Sequence, residues 1–372
     1  MKRSVLEASA TLIGTTIGAG ILGIPYVIAQ SGFLIGLFYI LFLGLVMLTL
    51  NLYIGEVVLR TKEKHQLIGY AKLYLGEKGK KLLTITFALS IYGALTAYLI
   101  GEGQTLSALF NSNNQMLFTL IFFVIVSTII FFGIKALKRT ELLISSIFLV
   151  TILFFIALLI PHGSTTNLQT LNWTKFFIPY GVILFAFWGT AAIPEMCEEL
   201  EKNKKELRKA IILGSLIPLG IYLLFALSII LVTGANTTEL ATLGVGTLLG
   251  KNFFLFGNAL AVLSMTTAFL GLGLALKEMY QYDYKLNNIT SFLLTCTIPL
   301  ILALSHFLTF SKILMITGSL LGGIEGVALV VMYRKAKKGK RNPEYSLNLP
   351  KIIDYLMISV FILGFIYTLI HL

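Results

Sequence analysis

The feature that most limits what this chain can become is a recurring apolar run about 20 residues long, the length at which a helix crosses a bilayer. Eleven such runs fall near 5–30, 33–59, 82–108, 115–134, 141–161, 176–198, 210–233, 252–276, 289–307, 311–333 and 352–371. In lipid every backbone N–H and C=O must find a partner within the protein, so runs of this length are expected to be helices. Composition excludes a soluble domain: 57% of the 372 residues are hydrophobic, 12% are charged, and mean hydropathy is +0.88. The fold class read from this is an all-α integral membrane protein. The first run follows a basic Met1-Lys2-Arg3 start. It is longer than a secretory leader and no short polar cleavage region separates it from the second run, so it is expected to be retained.

A net charge of +12 invites a nucleic-acid partner, but the placement of the charges argues for none. With the N-terminus in the cytoplasm and the runs alternating sides, every lysine and arginine except Lys175, Lys251 and Lys312 falls on the cytoplasmic side. That asymmetry is the positive-inside signal. It predicts a multi-pass protein with a cytoplasmic N-terminus and an outer C-terminus, the basic residues also attracting anionic lipid. Cys197 and Cys296 lie in or beside apolar runs and read as buried side chains rather than a disulfide. His65, His162, His306 and His371 sit in loops or near run ends, and no histidine–carboxylate cluster lies at membrane depth. A membrane metalloprotease, a haem protein or another membrane enzyme is therefore not expected, and no cofactor is predicted.

Runs one to five (residues 1–161) and six to ten (residues 176–333) read as two halves, with 352–371 as an extra transmembrane helix, all within one transport domain. Five is odd, so the second half enters from the opposite side and is inverted relative to the first. Residues 62–80 place Leu67, Ile68, Ala71, Leu73 and Leu75 among lysines, which predicts a short interfacial helix. Residues 235–250 are too apolar for a free loop and are expected to form a lid over an outer vestibule.

Two runs carry a matching interruption. The first reads Gly20-Ile21-Leu22-Gly23-Ile24-Pro25 and the second Gly189-Thr190-Ala191-Ala192-Ile193-Pro194. Six of the eight prolines follow isoleucine, but only these two have glycine five positions earlier, and each opens its half. Paired interruptions at corresponding places in two halves point to a transporter's binding site. An unwound helix in lipid exposes donors and acceptors that protein, water, ion or substrate must satisfy. The stretch Gly14-Thr15-Thr16-Ile17-Gly18-Ala19-Gly20 supplies glycines that ease the break and admit a ligand to the backbone. The resuming half-helix would present free N–H groups to a carboxylate, and the freed carbonyls before it would suit a cation or ammonium. In the second break, Phe185-Ala186-Phe187-Trp188-Gly189-Thr190 would offer carbonyls to an ammonium and aromatic walls to an apolar side chain. Residues of this kind also serve as ordinary helix-packing surfaces.

Leu263, Thr266 and Thr267 share one helical face, so a carbonyl and two hydroxyls form a hard oxygen set suited to sodium if the first helix adds carbonyls. Threonines that back-bond to their own helix are the other reading. Glu102, Glu195 and Glu325 are carboxylates at membrane depth, where ionised groups are costly and tend to be functional. Glu102 and Glu325 are candidates for a proton carrier or gate partner, and equally for interhelical hydrogen bonds. Glu198, Glu199 and Glu201 beside Lys202, Lys204 and Lys205 read as a solvated helix end.

With Gly14 to Pro25 in view, the chain resembles the amino acid/auxin permease family of the amino acid–polyamine–organocation superfamily. The resemblance is strongest over Ile13-Gly14-Thr15-Thr16-Ile17-Gly18-Ala19-Gly20-Ile21-Leu22-Gly23-Ile24-Pro25 and looser from Phe185 to Pro194 with Glu198-Glu199. It implies the LeuT-type 5+5 inverted repeat with an eleventh transmembrane helix, and secondary transport of an amino acid. By the family pattern, N–H groups near Gly18, Ala19 and Gly20 would hold the substrate carboxylate. Phe187 and Trp188, with Thr190 in the same break, would meet its ammonium and side chain, and Tyr98 would close over it. A sodium site would comprise carbonyls of Gly14, Ile17 and Leu263 with hydroxyls of Thr266 and Thr267. Some proton-coupled relatives place a lysine of the fifth helix there, and residues 141–160 contain no lysine or arginine. Sodium is thus expected over protons as coupling ion, with Glu102 or Glu325 keeping protons open. The expectation is a cation-coupled symporter importing neutral apolar or aromatic amino acids across the cell membrane, with no oligomer required. A carrier of a polyamine or nucleobase, or a non-transporting sensor or channel, would fit the same sequence features.

Overall fold

A computed structural model describes residues 3–133, 135–200, 203–282, 284–305, 307–339 and 341–371, with backbone alone at residue 3 and over 135–145. His306, Glu201 and Lys202 lie outside the described residues. The helices are α1 (Arg3–Thr16), α2 (Gly20–Ser31), α3 (Phe33–Arg60), α4 (Leu67–Leu109), α5 (Gln115–Phe132), α6 (Lys135–Leu159), α7 (Ile178–Ala186) and α8 (Ile193–Glu199). After them come α9 (Leu207–Thr233), α10 (Ala241–Leu249), α11 (Lys251–Tyr282), α12 (Asn288–Leu304), α13 (Phe310–Ile316), α14 (Gly322–Ala336) and α15 (Lys351–His371). Among the described residues no strand forms.

Every apolar run is helical. Among the described residues, eight helical spans are long and apolar enough to cross a membrane, and α1 with α2, bent by 56° at their break, makes a ninth. The two remaining runs hold shorter apolar helices, Ser146–His162 and Asn288–Leu304. Inward-facing positions build one continuous apolar core, in which Leu12, Ile21, Ile24, Phe225, Phe269 and Phe310 are fully buried.

Within the segment expected to hold a short interfacial helix, residues 67–75 do form a short helix of their own, set off by a kink from the long helix that completes α4. Leu67, Ile68 and Ala71 are buried, and the chain turns at Gly76 (φ 77°, ψ −170°) before running on as the long helix. Glycine permits that positive φ without a Cβ clash, so the short helix and the long one meet at a kink there. Within 235–250, α10 packs on α9, α11 and α2, with Leu240, Ala241 and Val245 buried.

The connector between α14 and α15 is largely exposed but not free. It straps back over the end of α3. Fully buried Glu56 accepts from Arg60 Nε (2.8 Å), Ser346 Oγ (3.1 Å) and the Leu347 backbone N–H (2.7 Å). Tyr345 Oη donates to Leu52 O (2.8 Å), and Arg341 donates to Thr61 O (2.7 Å). Burial pushes the Tyr345 phenol well above the usual tyrosine range. Beside the strap, Asp354 takes both Tyr53 Oη and the Arg334 guanidinium, and the Tyr53 and Tyr333 rings stack at 3.8 Å.

Candidate functional site

The first break is a tight reversal. Ile17 N donates to Ile13 O (2.7 Å), Gly18 N turns back to Thr16 O (3.0 Å), and α2 restarts with Ile21 N on Gly18 O (3.4 Å) and Leu22 N on Ala19 O (3.1 Å). Among the described residues the N–H groups of Ala19 and Gly20 make no backbone hydrogen bond. The Gly18 N–H, expected as a third free donor, is spent within the turn. The second break ends α7 with Phe187 N on Ile183 O (3.2 Å) and Trp188 N on Phe185 O (3.1 Å), and resumes with Ala192 N on Gly189 O (3.1 Å). The N–H groups of Gly189, Thr190 and Ala191 make no such bond, and the fully buried Thr190 hydroxyl has no partner among the described residues.

The two breaks touch, and reciprocally. A Cβ on Gly20 would lie 2.9 Å from Ala186 Cα, and one on Gly189 would lie 2.5 Å from Thr16 Oγ1. Each glycine thus packs on the last residue of the other helix's first half, an approach only a missing side chain allows. The fully buried Tyr222 of α9 joins the same two residues, its hydroxyl lying 2.8 Å from Thr16 O and 2.8 Å from Ala186 O. Sequence reasoning passed over Tyr222. A phenol inside an apolar run was the available signal, since a buried tyrosine hydroxyl almost always has a partner.

The remaining candidates gather on two sides. Toward α4 and α11, a Cβ on Gly18 would face Ala268 Cβ at 3.5 Å and the Tyr98 hydroxyl at 3.8 Å. One turn beyond Tyr98, fully buried Glu102 accepts from Thr266 Oγ1 (2.9 Å), while its second oxygen has no partner and no charged group faces it among the described residues. Thr267 Oγ1 donates to Leu263 O (2.9 Å) and lies 3.0 Å from Ser264 O. The Thr266 and Thr267 hydroxyl protons therefore go to α4 and to their own helix. Gly14 lies in the last turn of α1 and Ile17 just past its end, next to the Gly18 that faces Ala268 of α11.

Toward α14, Glu325 is buried and accepts from Ser90 Oγ (2.9 Å), with the Thr86 and Trp188 side chains nearby. The Trp188 ring rests against Gly322. The Phe187 ring turns instead to α9 and α3, 4.9 Å from Tyr222 and against Gly44. The two aromatics thus diverge, and Phe185 is the ring that reaches Gly20. A π-helical turn, Thr317–Leu321, interrupts the tenth run. Its Gly318 abuts the Gly181 carbonyl of α7 backbone to backbone. Such turns cluster at functional sites, and nothing in the composition of this run marks it.

This geometry is carried by a chain with clear relatives. It is 29% identical to the "Tyrosine-specific transport system 1" of Haemophilus influenzae, over 95% of this chain and 93% of that protein. It is 26% identical to the "Glutamine transporter 2" of Aliivibrio fischeri, over 83% of this chain and 84% of that one. It is 23% identical to the "Low affinity tryptophan permease" of Escherichia coli O157:H7, over 77% and 75%. The tryptophan/tyrosine permease family matches residues 1–370, nearly the whole sequence. The chain therefore belongs to the tryptophan/tyrosine permease family, a family of membrane permeases rather than enzymes.

Proposed function

We propose that this chain is a secondary active transporter importing neutral amino acids, aromatic or apolar, by cation-coupled alternating access around the two breaks. The observation that carries this reading is the reciprocal contact of the breaks, Gly20 on Ala186 and Gly189 on Thr16. It supports a pseudo-symmetric relation between 1–161 and 176–333, hence the LeuT-type 5+5 inverted repeat with 352–371 as an eleventh helix. The resemblance to the amino acid/auxin permeases points the same way. The tyrosine and tryptophan in two relatives' names support an aromatic substrate, and the glutamine in a third keeps other neutral side chains in play.

In this reading the substrate carboxylate takes the N–H groups of Ala19 and Gly20 at the positive end of α2, beside Gly18. The ammonium meets carbonyls of Phe187 and Trp188 and the unpartnered Thr190 hydroxyl, and Tyr98 closes over the ligand. Alternating access follows if the two ends of transport stabilise different packings of the half-helices, since a ligand shifts an equilibrium only by its differential affinity. Sodium would sit among Gly14, Ile17, Leu263, Thr266 and Thr267. A proton on Glu102 is the second reading, favoured by a fully buried carboxyl that has one free oxygen and no facing charge among the described residues. The protein would lie in the cell membrane, N-terminus inside and C-terminus outside.

Uptake of a labelled amino acid mixture into proteoliposomes, with sodium and pH gradients imposed separately, tests the proposal. Accumulation under one gradient is expected. Accumulation under neither would overturn symport, and current far above carrier turnover would indicate a channel.

A further inference from the structure

Away from the breaks, α14, α15 and the early part of α4 enclose an open groove of about 410 Å³. Val327 and Val331 of α14, Leu82 of α4, and Phe361 and Ile362 of α15 are among its walls, and no polar residue lines it. Leu82, Val331 and Ile362 are exposed along it, so the protein leaves its outer side uncovered.

One end of the groove is basic. Lys335 follows Val331 by one turn on the same helical face, Lys338 lies in the turn just after α14, and Lys78 lies one turn before Leu82. All three lysines are exposed, and none makes an ion pair among the described residues. Their neighbours are already engaged. Arg334 pairs with Asp354, and Lys337 Nζ donates to Leu347 O (2.6 Å) within the strap. The inner basic residues thus hold the protein together, while the outer ones rim an apolar slot.

An apolar slot with a cationic mouth matches an amphiphile with a hydrocarbon tail and an anionic head. A free anion would leave the slot bare, and a neutral lipid would leave the lysines unmatched. A second copy docked about a two-fold axis would bring the lysine rims of both copies toward one interface, where like charges repel. The positive-inside reading places this mouth at the cytoplasmic leaflet, where anionic lipid attracts basic residues. We propose that the groove binds one anionic phospholipid of that leaflet. Its acyl chain lies along Val327 and Val331 against Ile362, and its phosphate is held by Lys78, Lys335 and Lys338. This site is independent of which solute or ion the chain carries.

Native mass spectrometry of the full chain, titrated in detergent with phosphatidylglycerol or phosphatidylcholine, tests the site. One phosphatidylglycerol per chain is expected, retained at least tenfold better than phosphatidylcholine. Lys78→Gln, Lys335→Gln and Lys338→Gln combined should abolish that preference while leaving thermal unfolding in phosphatidylcholine unchanged. Val327→Trp, which fills the slot, should lower retention with the lysines intact. Equal retention of the two lipids overturns the proposal, as does an unchanged preference in the lysine variant. Full competition by glycerol phosphate would mean an anion site without the groove. A dimer lost in Val327→Trp with no lipid bound would assign the groove to a second copy.

Discussion

Replacing Tyr222 with phenylalanine removes one oxygen from a fully buried position and leaves the ring free to keep its packing on Phe187. The hydroxyl has a single proton but lies 2.8 Å from both Thr16 O and Ala186 O, so it donates to one carbonyl at a time. Its removal deletes one buried donor shared between two acceptors. A net hydrogen bond is worth about 0.5–1.5 kcal/mol, and leaving a buried carbonyl unpaired costs about 1–3 kcal/mol. Tyr222→Phe should therefore lower stability by about 1–3 kcal/mol. Thr16 and Ala186 each end the first half of a broken helix, so the loss falls on the state that holds those ends together. If transport parts them, the equilibrium between states moves by up to about tenfold per 1.4 kcal/mol. The assay pairs thermal unfolding of the purified protein with substrate binding and initial uptake rates in proteoliposomes. The expected result is a lower unfolding temperature, with uptake altered more than binding. Ser228→Ala is the control, because that hydroxyl on the same helix serves only Phe225 O of its own turn (2.9 Å). A Tyr222→Phe variant matching wild type in both unfolding and uptake would refute the clamp.

Gly20→Ala places a methyl 2.9 Å from Ala186 Cα, a backbone atom that cannot swing aside, so about 1–3 kcal/mol of overpacking is expected. Substrate binding should fall at least tenfold with membrane insertion intact, and wild-type affinity would refute the break geometry. Thr267→Ala should weaken sodium dependence more than substrate selectivity, and a sodium response identical to wild type would reject that ion set. Glu102→Gln separates the ions from the other side: accumulation driven by a pH gradient should disappear if Glu102 carries the proton, and persist undiminished if it does not. Glu56→Ala strips the strap of its acceptor and leaves Arg60 beside a lost partner, which for a buried pair costs about 3–5 kcal/mol. Trypsin should then cut after Arg341 at least tenfold faster, and an unchanged cleavage rate would mean the strap is held elsewhere.

The helices were legible because lipid leaves a long apolar run one way to satisfy its backbone. Each run from 5–30 to 352–371 accordingly became helical. The breaks at Gly20 and Gly189 were legible for a related reason, since a glycine followed by proline within an apolar run is a local interruption. Side-chain partners were less legible. Thr266 and Thr267 share a face with Leu263 as helical spacing dictates, but one hydroxyl proton goes to Glu102 and the other to its own helix. Phe187 and Trp188 are adjacent in sequence and diverge in space, one to Tyr222 and Gly44, the other to Gly322 and the neighbourhood of Glu325.

By itself, the sequence determined the solvent this chain folds in, its helices and the two points where helices must open. Those follow from hydrophobicity, chain length and backbone sterics within a few residues. Tertiary structure alone decided that each break rests on the other, that Tyr222 spans both, and that Glu56 anchors a strap almost 300 residues away at Leu347 (|i−j| = 291). A hydroxyl or carboxylate has several acceptable partners of similar strength. Which one it meets depends on how distant helices pack, and no local pattern carries that information.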